Sequence, residues 1–212
     1  MSLTQDLEAL RREQQVQFPP FIRALFDQLI DGLKTNGVGQ GLKVGEEIPP
    51  FVLPNALGRP VSSGELLARG PLVVVFYRGA WCPYCNLELK ALQESLGDFH
   101  DLGAELVAIS PMTPDNSLSL AEKHGLEFEV LSDPGLKVAS KFGLTYTLPL
   151  EIKTFFQKGG LDLSRFNGDG SWKLPIPATY VTDHDGIVIA EVNPDWRNRL
   201  DPLEIIAALQ KL

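Results

Sequence analysis

The chain has 212 residues, of which 44% are hydrophobic and 22% charged, and its formal net charge is −8. This length and composition predict a globular protein with a sizeable core and exclude a disordered chain. The negative charge argues against non-specific binding to nucleic acid or to an anionic membrane. The longest apolar run, Leu72 to Tyr77, is too short to cross a bilayer, and residues 1–15 contain no apolar signal core. We therefore expect a cytoplasmic protein with neither a membrane nor a nucleic-acid partner.

Residues 1–41 are predicted to form an N-terminal helical extension. Leucines recur at helical spacing in its first part, and Pro19-Pro20 ends that helix and starts a second one. The second helix carries apolar residues at i, i+3 and i+4, and this face must cover either the main domain or a second subunit. A homodimer through these helices is therefore one expectation. The glycine-rich residues 35–41 are expected to be a flexible linker.

Residues 42–212, the predicted main domain, alternate between strand and helix patterns. The strand patterns are 44–53, 72–77, 105–110, 128–131, 178–182 and 187–192. Residues 72–77 are apolar without alternation, which is typical of a central strand covered on both faces. Residues 144–175 are rich in glycine and are expected to form a long ordered loop or a small insertion. The alternation predicts a mainly parallel sheet between helices, to which a final hairpin adds an antiparallel edge.

The only two cysteines, Cys82 and Cys85, lie between the predicted central strand and the next helix. Pro83 suits the first helical position, so Cys82 is predicted to be the N-cap and Cys85 the third residue of the helix. A helix N-terminus favours the thiolate, which is the reactive form of a cysteine. This spacing also lets the two sulfurs form a disulfide without a large backbone movement. The pair is therefore predicted to cycle between dithiol and disulfide.

Other interpretations of the pair compete with redox chemistry. A C-x-x-C can be half of a zinc site, but zinc takes about four ligands, and the three histidines are scattered at His100, His124 and His184. We therefore expect no metal, and we expect the histidines to be structural or exposed. Two inert buried cysteines are the remaining alternative.

Charged and aromatic residues near the cysteines have both structural and functional interpretations. Arg78 could lower the pKa of a thiol, although a solvated surface charge is favoured. Trp81 could shape a substrate-binding face or only pack. Glu88 could relay a proton, but a carboxylate in the first turn of a helix is routinely a partner of the helix dipole. The charged run from Asp195 to Arg199 is expected to be solvated.

The segment Phe76 to Leu89 resembles the active-site segment of the peroxiredoxin-like branch of the alkyl hydroperoxide reductase / thiol-specific antioxidant family. Similar stretches lie at 45–54, 109–111, 124–126, 131–134, 142–144 and 176–186, so the resemblance covers roughly residues 42–211. It implies a thioredoxin-like α/β fold with a central mixed sheet flanked by helices, and an oxidoreductase that needs no cofactor. The N-terminal helices are not a general feature of that fold.

The resemblance also implies roles for individual residues. In the family's P-x-x-x-T-x-x-C segment the last cysteine attacks the peroxide, and that position falls on Cys85. Here Cys82 stands at the threonine position and Arg78 at the proline position. No arginine occurs in residues 172–182, where the peroxide-orienting arginine of the family is expected.

The residues before the last hairpin also resemble this fold. Pro177 resembles the cis-proline that faces the cysteines, and the segment that resembles the end of the family includes Thr179, which we count among the supporting residues. The frame Trp-Cys-x-x-Cys is similar to thioredoxin and Cys-Pro-Tyr-Cys to glutaredoxin. In those proteins the first cysteine, here Cys82, attacks and the second resolves.

The sequence is therefore compatible with three functions. The first is a thiol peroxidase in which Cys85 attacks a small hydroperoxide and Cys82 resolves, with thioredoxin, glutaredoxin or glutathione as the external reductant. The second is a protein disulfide reductase in which Cys82 attacks. The third is a non-enzymatic redox sensor or partner-binding module that uses the N-terminal helices.

Overall fold

A computed structural model of the protein describes residues 2–212, which form ten helices and nine strands. The helices are α1 (Leu3–Gln17), α2 (Pro20–Thr35), α3 (Ser63–Leu67), α4 (Pro83–Glu94), α5 (Leu96–Asp101), α6 (Pro114–His124), α7 (Lys137–Lys141), α8 (Leu150–Lys158), α9 (Ser164–Asn167) and α10 (Pro202–Leu209). The strands are β1 (Val52–Pro54), β2 (Pro60–Ser62), β3 (Leu72–Phe76), β4 (Glu105–Ser110), β5 (Glu129–Ser132), β6 (Thr145–Thr147), β7 (Lys173–Pro175), β8 (Ala178–Asp183) and β9 (Gly186–Val192). None of these helices is long and apolar enough to span a membrane.

The central sheet has five strands in the order β5-β4-β3-β8-β9, with helices on both faces. Strand β3 is fully buried along its length, as its continuous apolar run predicts. It pairs in parallel with β4 and antiparallel with β8, while β5 extends the parallel side and β9 the antiparallel side. The predicted α/β fold with a central mixed sheet is confirmed. The expectation of a mainly parallel sheet is wrong, because the final hairpin inserts β8 directly beside the central strand.

The two helices of the extension pack on the main domain. Ser2 and Gln5 form a capping box at the start of α1, and Leu3 and Leu7 are buried in the same core as α4. The hydroxyl of Tyr84 on α4 donates to Gln14 Oε1 on α1 at 3.0 Å. The apolar face of the extension therefore covers the protein's own domain. A homodimer through these helices stays a prediction, as does the domain boundary near residue 41.

The segment that joins α2 to the main domain is packed and is not a flexible linker. Gly39 and Gly41 have φ values of 68° and 60°, which favour glycine. A Cβ atom on Gly39 would overlap the side chain of Ile176, and one on Gly41 would overlap the Tyr180 hydroxyl. These glycines let the backbone approach neighbouring side chains closely. A glycine-rich composition is the same for a packed segment and for a flexible linker, so the sequence alone does not distinguish the two.

Residues 144–175 form a small insertion with its own secondary structure. Strands β6 and β7 pair antiparallel, with Tyr146 opposite Leu174, and α8 and α9 lie between them in the chain. The buried residues of the insertion form an apolar cluster that also takes in Leu33 of α2. The insertion and the N-terminal helices therefore enclose a common volume next to the cysteines.

Candidate active site

The cysteines occupy the turn between β3 and α4. Cys82 is the N-cap of α4, Pro83 is its first residue and Cys85 its third, as predicted. The side chain of Asn86 donates to the carbonyl oxygen of Ala80 at 3.0 Å and fixes this turn. Both cysteines are free thiols, and only 2% of Cys82 and 0% of Cys85 is exposed. The site is therefore a reduced dithiol at the positive end of a helix.

The Cys85 sulfur is held by donors from two parts of the chain. Arg199 Nη2 lies 3.3 Å from Cys85 Sγ, and the backbone amide of Arg78 lies 3.5 Å from it. Arg199 Nε also pairs with Glu88 Oε2 at 2.6 Å, and only 2% of each of these two side chains is exposed. A buried thiol and a buried carboxylate thus contact the same buried cation.

The charged run before α10 is therefore not solvated, and this prediction is wrong. Asp195 is buried and accepts from Arg197 Nε at 2.7 Å, and Arg197 Nη1 reaches Asp27 on α2 at 2.9 Å. A buried charge is tolerated when it is paired: Asp195 is paired with Arg197, and Arg197 in turn joins this segment to Asp27, 170 residues earlier in the chain. Arg199 places a cation beside the Cys85 sulfur, whereas residues 172–182, where the family's arginine was expected, contain no arginine. Trp196, an aromatic residue inside a charged run, was the one local sign of burial.

Arg78 is also buried, with 3% of its side chain exposed, so the predicted surface charge is wrong. Its guanidinium carbon lies 4.8 Å from the ring centre of Trp81 and 4.5 Å from that of Trp196. Cation–π contacts on both sides offset part of the cost of burying the charge. Arg78 forms no salt bridge with any of residues 2–212. Trp81 therefore packs against a buried cation, and its role in shaping a substrate face stays a prediction.

The two thiols have opposite acidities. Burial alone would raise the pKa of Cys82, but a hydrogen bond from Cys85 and the charges of Arg78 and Arg199 lower it to about 6. Burial raises the pKa of Cys85 well above its ordinary value, and the neighbouring Cys82 raises it further. The donors on Cys85 reduce this effect without reversing it. At neutral pH the pair therefore holds one negative charge, on Cys82.

Glu88 is a third titratable group in this cluster. Burial raises its pKa to about 7, against the opposing charge of Arg199. A carboxyl group with this pKa can gain or lose a proton near neutral pH, so Glu88 is more than a partner of the helix dipole.

A cavity of about 530 Å³ opens onto Cys82. Helices α1 and α2 and the insertion form most of its walls, and the larger apolar side chains of its lining are Phe18, Phe26, Trp81, Phe156, Leu161 and Trp196. Cys85 is not part of the lining. A small molecule that enters this cavity therefore meets the Cys82 sulfur first.

Pro177 and Thr179, which the sequence predicts to support the site, form no hydrogen bond with the cysteine sulfurs within residues 2–212. The bond before Pro177 is trans, so the expected cis-proline is wrong; trans is the ordinary state of such bonds. Thr179 is buried on β8 opposite Val75 and makes no hydrogen bond to either sulfur within the described chain. Residues 2–212 contain no group of three or more histidine, cysteine or acidic side chains that could hold a metal ion.

A dithiol at the start of the helix that follows the central strand of a mixed sheet defines a thioredoxin-like redox protein. Residues 44–191 match the AhpC/TSA family, so the chain belongs to that family, as its resemblance predicted. It is 29% identical to chloroplastic peroxiredoxin Q of Sedum lineare, over 85% of this chain and 84% of the relative. It is 31% identical to a protein named as a putative peroxiredoxin in Mycobacterium tuberculosis, over 72% of this chain and 86% of the relative.

The fold is likewise similar to solved structures of this family. The crystal structure of peroxidoxin BcpB from Mycobacterium tuberculosis superposes with a TM-score of 0.63 at 23% identity, over 81% of this chain and 98% of that one. Peroxiredoxin 6 of Arenicola marina, crystallised as a cysteine-to-serine mutant, gives a TM-score of 0.64 at 16% identity, over 80% and 73% of the two chains. At these identities the similarity concerns the fold.

Proposed function

We propose that this protein is a thiol peroxidase that reduces small hydroperoxides, with Cys82 as the attacking cysteine and Cys85 as the resolving one. Family membership and the reduced dithiol support a thiol-dependent oxidoreductase. The observation that carries the order of attack is the cavity, which opens onto Cys82 and not onto Cys85. This order reverses the assignment that the family motif implied.

The chemistry needs only the two sulfurs and a proton. The Cys82 thiolate attacks the outer oxygen of the hydroperoxide, the O–O bond breaks, and the leaving alkoxide takes up a proton to become an alcohol. Cys82 is then a sulfenic acid. The Cys85 sulfur attacks it, the S–O bond breaks, and water leaves as the disulfide forms. Two external thiols reduce the disulfide and become a disulfide themselves, which restores both cysteines.

The electrostatics of the pair support this sequence of steps. Burial raises the pKa of Cys85, and while Cys82 is a thiolate its charge raises that pKa further. Oxidation makes Cys82 neutral and removes that charge. Burial still raises the pKa of Cys85, but the charge of Cys82 no longer adds to it, so Arg199 and the Arg78 amide bring the Cys85 pKa down from its earlier value. The first step therefore activates the resolving cysteine for the second.

The depth of the site argues against the protein disulfide reductase. Such an enzyme must bring its attacking sulfur against a disulfide on the surface of another protein, whereas only 2% of Cys82 is exposed beneath α1 and α2. A redox sensor would share the dithiol, but it would not turn over many equivalents of peroxide. Turnover therefore separates the sensor from the enzyme.

The proposal also includes the reductant of the disulfide and the cellular compartment in which the protein acts. We take the reductant to be an external thiol, either thioredoxin, glutaredoxin or glutathione, and the reducing cytoplasm to be the site of action. Two free cysteines in 212 residues support a reducing compartment. Comparing the three reductants in a turnover assay, with the protein at a fixed concentration, tests the first point.

The test of the order of attack uses one variant of each cysteine. Reduced Cys82→Ser and Cys85→Ser proteins are mixed with one equivalent of hydrogen peroxide, and sulfenic acid is trapped with dimedone and detected by mass spectrometry. We expect fast trapping in Cys85→Ser and a rate no faster than that of a free thiol in Cys82→Ser. Fast trapping in Cys82→Ser alone would reverse the order, and slow trapping in both would remove the peroxidase.

A further inference from the structure

The cavity above Cys82 is much larger than hydrogen peroxide. Its volume is about 530 Å³, whereas a water molecule occupies about 30 Å³ in the liquid. Cavities of roughly 300–1,000 Å³ are typical of sites for organic ligands with many non-hydrogen atoms. Hydrogen peroxide would leave nearly all of this volume to solvent, so the size of the cavity indicates a larger substrate.

Aromatic rings form the apolar part of the wall. Phe26 makes an edge contact with Trp196 at 5.7 Å and contacts Phe156 at 6.1 Å, and Trp81 contacts Phe156 at 5.7 Å. These rings come from four parts of the chain: the extension, the turn beside the cysteines, the insertion and the segment before α10. Burial of a ring or a branched alkyl group against such a surface is favourable.

The charged part of the wall has a surplus of positive charge. Four arginines line the cavity, against one carboxylate, that of Asp27. Arg197 is neutralised by Asp27 and Asp195. Arg11 hydrogen bonds to Asn198 at 2.7 Å, and its guanidinium lies 3.9 Å from Asp195.

The two remaining cations of the wall, Arg78 and Arg23, form no salt bridge with a carboxylate of residues 2–212. The Cys82 thiolate lies in the field of the Arg78 guanidinium and balances its charge, although the Arg78 Nε atom is itself buried without a hydrogen-bond partner within residues 2–212. Arg23, on α2, has no salt bridge or side-chain hydrogen bond with any of residues 2–212, and its Nε atom is buried without a partner. A buried donor without a partner costs free energy, which an anionic ligand would recover.

We propose that the cavity selects an organic hydroperoxide that has an apolar, ring-sized body and a carboxylate, and that Arg23 binds the carboxylate while Cys82 attacks the peroxide. This inference rests on the proposed peroxidase function. It makes the N-terminal extension, which lies outside the part of the chain that matches the family, the specificity element of the enzyme.

The first test compares two substrates that differ by one carboxylate group: cumene hydroperoxide and its para-carboxylate. We expect kcat/KM to be about 10-fold to 100-fold higher for the carboxylate, the range of a charge-assisted hydrogen bond. In Arg23→Gln the ratio of the two constants falls to about one. Arg12→Gln is the control, because Arg12 lies on α1, is largely exposed and pairs only with Glu8; its ratio stays that of the unmodified protein.

The second test does not depend on peroxidase activity. 4-Isopropylbenzoate has the body and the carboxylate but no peroxide, and we expect it to protect Cys82 from alkylation by iodoacetamide, whereas 4-isopropylbenzyl alcohol does not. Equal kcat/KM values for the two hydroperoxides in the unmodified protein, or equal protection of Cys82 by the acid and the alcohol, would overturn the proposed specificity. Failure to consume any hydroperoxide, with protection by the acid retained, would instead overturn the peroxidase and leave the anion site.

Discussion

The two sulfurs lie three residues apart, yet they belong to two different regions of the molecule. Cys82 faces a cavity with aromatic walls, roofed by the N-terminal helices. Cys85 lies on the sealed side, against the buried pair of Arg199 and Glu88. The cavity side provides access and selection, and the sealed side provides the charges that decide when the second sulfur reacts. A C-x-x-C motif alone does not distinguish these two roles.

The sealed side is expected to show the largest effect on stability. Arg199→Met leaves Glu88 buried without its partner, and at pH 8, where the pair of the unmodified protein is charged, we expect the free energy of unfolding to fall by about 3–5 kcal/mol. Urea unfolding measures this loss. The control is Lys90→Met, which breaks the exposed pair with Glu94 and should cost about 1 kcal/mol or less. Equal costs for the two variants would show that the buried pair is not structurally coupled.

On the cavity side, the roof is held by the apolar face of α1. Leu7→Ala removes a buried side chain from the contact between α1 and α4, and we expect a loss of about 2–3 kcal/mol. The loosened roof should also raise the rate at which a bulky maleimide labels Cys82. Val16→Ala on the same helix is the control, because Val16 is exposed. A labelling rate that does not change in Leu7→Ala would mean that α1 does not control access.

The acidity of Cys82 predicts a pH profile. Its folded-state pKa of about 6 lies below that of a free thiol, so the thiolate persists at neutral pH and is lost as the pH falls through about 6. Between pH 7 and pH 5 the rate of alkylation should therefore fall about tenfold. Absorbance of the thiolate at 240 nm gives the same midpoint independently. A midpoint near that of a free thiol, about 8.5, would contradict the assigned charge distribution.

The smallest effect is expected at the single hydrogen bond between α1 and α4. Tyr84→Phe removes the donor to Gln14, and the expected loss in the free energy of unfolding is about 1 kcal/mol. Tyr146→Phe is a matched control, because the hydroxyl of Tyr146 is buried and has no partner within the described chain. Its removal should be neutral or slightly stabilising. Thermal unfolding of both variants shows whether this hydrogen bond stabilises the packing of α1 on α4.

The sequence was informative where local signals act. A proline at the first helical position and a continuous apolar run placed Cys82, Cys85 and β3 correctly, because both features restrict the backbone within a few residues. It failed where burial depends on partners far along the chain. Glu88 and Arg199 are 111 residues apart, and each alone looks like an ordinary surface charge. Arg78 was misjudged for the same reason, since Trp196 completes its site from the far end of the chain.

The central claim is that Cys82, on the cavity side, carries the reactive thiolate. The most direct test labels the reduced protein at pH 7 with less than one equivalent of iodoacetamide. Both cysteines lie in the tryptic peptide 79–90, and its fragment ions locate the label. We predict that the label lies on Cys82 in nearly all singly modified peptides. Label found mainly on Cys85 would contradict the account and return the attacking role to the position that the family motif implied.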